Sequence, residues 1–106
     1  NGVSNMNESI LNVSIEDLCK SEDINQTLVM EVVEFGIARP VEGNTIQDWK
    51  FDTSTVHWLK KAIRLNRQLE IDWVGVAMVI ELLKQREALE YENQTLQRQL
   101  ARFLES

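Results

Sequence analysis

The clearest pattern in this chain lies near its end: Leu82, Leu89, Leu96 and Phe103 recur at strict seven-residue spacing within the stretch from Asp72 to Phe103. Apolar residues repeated every seven positions mark helices that supercoil around each other, and roughly 32 residues at ~1.5 Å each make a rod of ~50 Å. A rod of that length cannot be covered by the rest of so short a chain, so the pattern predicts a partner helix. With Val79, Arg86, Asn93 and Leu100 at a and the leucines at d, two polar residues sit in the seam; such residues cost stability there but select register. Gln85, Glu90, Glu92, Gln97 and Gln99 fill e and g, which leaves the relative direction of the helices undecided by charge. The candidate dimer interface is therefore Val79, Leu82, Leu89, Asn93, Leu96, Leu100 and Phe103. A second stripe, Trp73, Val76, Ala77, Ile80 and Leu83, lies on another face of the same helix and predicts docking onto the chain's own domain.

Upstream the apolar periods are shorter. Ser14, with Asp17 three positions on, forms a capping-box-like start to a helix of about eight residues carrying Ile15, Leu18 and Cys19. The run Ser21 to Asp23 breaks it. Asn25 then caps a second helix with Leu28, Val29, Val32, Val33 and Phe35 on a broad apolar face, and Gly36 ends it as a residue able to take positive φ. Helix, tight turn, helix is the outline of a helix-turn-helix unit. From Ile37 to Asp52 the pattern changes: Pro40 forbids helix, Gly43-Asn44 is a turn pair, and Thr45 to Phe51 alternates with aromatic residues, predicting a two-stranded wing. Asp52 or Thr53 caps a third helix running to about Leu69, whose apolar arc from Val56 to Leu69 is wider than one core face needs. Glu70-Ile71 is a short joint, and Asp72 caps the final helix. Residues 1–12, polar and without pattern until Ile10, are expected to be a disordered or expression-derived leader. The predicted organisation is this leader, a winged helix-turn-helix domain over 13–71, and a long coiled-coil-like dimerisation helix over 72–106.

A chain of 106 residues supports one small domain plus an appendage, with association supplying further burial. Its 43% hydrophobic and 26% charged residues are ordinary for a folded protein. The longest apolar run, Trp73 to Ile80, is far shorter than the ~20 residues of a membrane-spanning helix, and a cytoplasmic location is the default expectation. The single cysteine, Cys19, reads as a small core residue, and the single histidine, His57, as a surface or boundary residue without a catalytic partner. No metal-ligand spacing or phosphate loop occurs, so the expectation is a protein without cofactor or catalytic site.

Charge changes the picture more than composition does. The net charge is −6, and residues 1–35 hold seven acids against Lys20 alone, while Arg39, Lys50, Lys60, Lys61, Arg64 and Arg67 make the middle mildly basic. In a helix-turn-helix reader of DNA, the second helix offers cations and amides to phosphates and base edges. Here it offers Glu31 and Glu34, with no Lys or Arg between Lys20 and Arg39. Nucleic acid is therefore the disfavoured ligand, and the basic residues of the third helix read as a solvated face.

From Ser14 to Phe103 the chain resembles the CbpM chaperone-modulator family, small relatives of the MerR-type winged-helix regulators. The landmarks are Ser14 to Cys19, Phe35-Gly36-Ile37 with Arg39-Pro40, Trp49 to Asp52, Arg64-Leu65 with Leu69, Ile71-Asp72-Trp73, Leu89 through Glu92-Asn93 to Leu96, and Arg102-Phe103. MerR regulators usually carry Arg or Lys on the second helix, and this chain departs there. The resemblance implies a mainly α, MerR-like winged helix-turn-helix fold with a long dimerisation helix. It also implies a homodimeric, cytoplasmic, non-enzymatic protein that binds the J-domain of a CbpA-type DnaJ-like co-chaperone and inhibits its co-chaperone and DNA-binding activities. A J-domain presents a basic helix, so Glu22, Asp23, Glu31 and Glu34 are the candidate partner-binding residues by complementary charge. The alternative is a MerR-like DNA-binding transcription regulator lacking an effector domain.

Overall fold

Four side chains start the four α-helices, each by accepting a hydrogen bond from a backbone N–H three residues on, as helix N-caps do. The computed structural model describes residues 12–21 and 23–105. Ser14 Oγ accepts from Asp17 N at 3.1 Å and opens α1 (Ile15–Leu18), and Asn25 Oδ1 accepts from Leu28 N at 2.8 Å and opens α2 (Gln26–Glu34). Asp52 Oδ1 accepts from Thr55 N at 2.7 Å ahead of α3 (Thr53–Leu69), and Asp72 Oδ1 accepts from Gly75 N at 2.9 Å ahead of α4 (Trp73–Glu105). Gly36, following the last turn of α2, has φ +74°, the left-handed value that a helix-terminating glycine supplies.

The first helix is shorter than its sequence suggests. After Leu18 the chain continues in single turns, with Lys20 N donating to Asp17 O and Ser21 N to Leu18 O. At the other end of α1, Ile15 N donates to Trp49 O at 3.2 Å.

The wing also differs from expectation. Across Gly43-Asn44 the pairing is limited to Val41 N donating to Lys50 O at 2.7 Å and Lys50 N to Glu42 O at 2.9 Å, and the two-stranded sheet forms instead between β1 (Asn12–Ser14) and β2 (Lys50–Asp52), antiparallel with Val13 opposite Phe51. Between Pro40 and β2 the chain makes one isolated bridge, Glu42 to Lys50, and then a 3₁₀ turn at Ile46–Asp48. The physical reason is on the inner face: Phe51 is fully buried and needs β1 and α3 around it, whereas Thr45 to Asp48 is closed locally by Thr45 Oγ1 donating to Asp48 Oδ2 at 3.0 Å. Of the expected leader, residues 1–11 lie outside the described residues, and Asn12 is the first residue of β1.

The centre of the core is made by Val29 and Val32 of α2, Phe51 of β2, Leu59 of α3 and Val76 of α4, all fully buried, with Ile15 and Leu18 of α1 buried beside them. Glu70, in a left-handed conformation at φ 54°, turns the chain back after α3, and Asn66 Nδ2 donates to Ile71 O at 2.8 Å to hold the turn. The first third of α4 then packs along α3 through Val76 and Ile80, with Trp73, Ala77 and Leu83 at the margin. Lys84 is the last firm tie, its Nζ 5.6 Å from the Trp58 ring centroid, with Lys61 Nζ at 5.9 Å on the same ring. Beyond Lys84 the helix leaves the domain, and every residue of it through Glu105 except Thr95 is exposed. No helix among the described residues is long and apolar enough to cross a membrane.

Candidate partner-binding surface

The outer face of α2 follows from its inner one. Val29 and Val32, flanked by Leu28 and Val33, turn one arc of the helix into the core, and at ~100° per residue the opposite arc carries Thr27, Met30, Glu31 and Glu34. Glu31 and Glu34, three apart, are neighbours on that surface. Glu34 is exposed and Glu31 half-buried, while Met30 and Phe35 beside them keep 39% and 44% of their surface in water. Two carboxylates next to two exposed apolar side chains, with no cation from Ser21 to Ala38 among the described residues, make a surface suited to a cationic, partly apolar protein element and hostile to phosphates.

The four acids expected to act together are divided by the structure. Glu22 lies outside the described residues. Asp23 is engaged elsewhere: its carboxylate lies 3.6 Å from Arg67 Nη1, and its backbone carbonyl accepts from Arg67 Nη2 at 3.1 Å. The Asp23 side chain thus ties the turn ahead of α2 to the outer flank of α3. Glu31 and Glu34 remain, joined by Met30 and Phe35, which the apolar arc hid because Met30 reads as one more hydrophobic residue in a hydrophobic helix.

The second candidate surface is the seam of α4. Val79, at the margin of the packed region, is half-buried. Leu82, Leu89, Leu96, Leu100 and Phe103 keep between 56% and 76% of their surface exposed, and Asn93 among them is exposed as well. These positions lie on the side of the helix opposite to Val76 and Ile80, so docking onto α3 leaves the seam uncovered.

Among the described residues no group of three or more His, Cys, Asp or Glu side chains converges as metal ligands, and no buried side-chain polar atom lacks a partner. His57 is exposed, stacked edge-on against Trp58 at 4.8 Å, and Cys19 packs at the edge of the core.

Residues 13–98 match the family described as MerR HTH family regulatory protein. The chaperone modulatory protein CbpM of Pseudomonas putida (strain KT2440) is 38% identical over 96 residues, covering 91% of this chain and 94% of the relative. The proteins of the same name from Pseudomonas entomophila and Citrobacter koseri are 38% identical over 94 residues and 32% identical over 91 residues, covering 89% and 86% of this chain and 92% and 89% of the relatives.

Proposed function

Since the chain belongs to the CbpM family of chaperone modulatory proteins, MerR-like in descent and non-catalytic in kind, we propose that it binds the J-domain of a CbpA-type DnaJ-like co-chaperone and inhibits its co-chaperone and DNA-binding activities. The observation that carries this reading is the outer face of α2, where Glu31 and Glu34 stand beside exposed Met30 and Phe35 in the place where a DNA reader would carry cations. A basic J-domain helix laid on that face pairs its cations with the two carboxylates and covers the two apolar side chains. Occupying the basic helix withholds it from the chaperone it serves. The protein acts as a cytoplasmic homodimer joined through the seam of α4, which presents two such faces.

Calorimetric titration of a J-domain into the wild type and into E31K/E34K tests the proposal. Both side chains lie outside the core, so the double variant folds, and its affinity is expected to fall at least about tenfold. Unchanged affinity in the folded double variant removes the assigned surface. A gel-shift series across salt concentrations separates the alternative of a DNA-binding regulator, which requires appreciable duplex affinity with a steep salt slope.

A further inference from the structure

A cleft of about 300 Å³ runs between the turn carrying Ser21, Asp23 and Ile24 and the outer flank of α3. Its floor is apolar, made by the buried side chains of Ile24 and Ile63, and its walls are cationic, made by Lys60, Arg64 and Arg67. These three follow one another at four- and three-residue steps, so they stand in one line along the helix over about 10 Å. Arg67 is occupied by Asp23, which neutralises one charge. Lys60 and Arg64 are exposed and have no ion pair or hydrogen bond to any described residue, so among the described residues two cations beside an apolar floor lack a carboxylate partner.

We propose that this cleft is a docking site for a short acidic segment of a partner protein, with side-chain carboxylates held by Lys60 and Arg64 and the adjoining methylenes resting on Ile24 and Ile63. The extent of the charge selects a peptide over a polynucleotide. A nucleic-acid backbone needs cations spread over many phosphates, whereas this line is a single ridge of about 10 Å with the acid Asp23 in the wall beside it. A segment of two to four acidic residues, by contrast, fits within about 10 Å of extended chain. The site is separate from Glu31 and Glu34 and is independent of the J-domain reading.

Fluorescence anisotropy with a labelled hexaglutamate peptide, and in parallel with a labelled oligothymidylate of equal charge, tests the assignment at low and at physiological salt. The wild type is expected to bind the peptide saturably and more tightly than the oligonucleotide. K60E/R64E should weaken the peptide at least tenfold and K60Q/R64Q most of that, both with wild-type thermal melts, while E31K/E34K leaves peptide binding at least as tight as in the wild type. Absence of saturable peptide binding overturns the proposal. So does equal binding by folded K60Q/R64Q, or tighter binding of the oligonucleotide.

Discussion

Truncating two seam leucines isolates the proposed dimer from the fold of the protomer. Leu89 and Leu96 keep 64% and 56% of their surface exposed and belong to no buried cluster. Complete burial of a leucine side chain is worth about 1.5–3 kcal/mol, so covering what remains exposed on each contributes about 1–2 kcal/mol. A two-fold pair contains both residues twice, so L89A/L96A removes four such contributions, about 3–6 kcal/mol after allowing for the methyl groups that remain. At ~1.4 kcal/mol per factor of ten, the dissociation constant rises roughly a hundred- to twenty-thousand-fold. The protomer is unaffected, since alanine is at least as good a helix former as leucine and no core contact is lost. Sedimentation equilibrium over a concentration series reads the association, and far-UV circular dichroism with a thermal melt reads the fold. Y91A is the matched control: Tyr91 is 70% exposed but sits at an f position, away from the seam, and its truncation leaves association unchanged. A wild type that stays monomeric at high micromolar concentration refutes the reasoning. So does an L89A/L96A variant that sediments like the wild type.

Phe51→Ala empties the centre of the core, where the ring is fully buried, and is expected to cost about 3–5 kcal/mol in urea unfolding. Asp52→Ala loses the cap of α3 and about 1 kcal/mol at neutral pH. Hydrogen bonds from Thr55 hold the Asp52 carboxyl below its ordinary value. Its contribution is therefore complete above the unfolded carboxylate value and is lost as pH falls through the lower folded one, a slope that urea titration finds in the wild type and not in D52N, which keeps the cap without the charge. Gly43→Ala combines φ +113° with a collision between the new Cβ and the Asp48 backbone carbonyl, and should cost about 1–3 kcal/mol by thermal melting. Gly36→Ala at φ +74° meets open space and should cost about 1 kcal/mol in the same assay.

The helices were legible because their signals are local. A cap is a contact between residues three apart, and Ser14, Asn25, Asp52 and Asp72 each make the one their position predicts. The two stripes of α4 were separable for the same reason, since helical period alone divides Val76 and Ile80 from Leu82 and Leu89. The sheet was legible only by half: β2 falls in the stretch read as wing, but its partner strand does not. Three residues, Asn12 to Ser14, are too few to show alternation, and their partners lie 36 to 40 positions away at Lys50 to Asp52. Alternation between Thr45 and Phe51 suggested a hairpin, but Thr45 spends its hydroxyl on Asp48 and the segment closes on itself. Register across a sheet is a tertiary decision, and here the burial of Phe51 makes it.

Charge shows the same division at the candidate sites. Counting acids along residues 1–35 treats Asp23, Glu31 and Glu34 as equals, yet a carboxylate already facing a guanidinium has little field left to offer a ligand. Arg67 is 44 positions from Asp23, so nothing in their spacing could pair them. Once paired, they sort the surface into two kinds: α2 keeps its acids with Met30 and Phe35, and α3 keeps Lys60 and Arg64 without a compensating carboxylate among the described residues. A net charge of −6 describes neither. What a partner meets is the local field, and on this domain the fields of α2 and of the α3 cleft have opposite sign. A protein partner carrying both a basic helix and an acidic segment matches both signs, whereas a uniform polyanion matches only the α3 cleft.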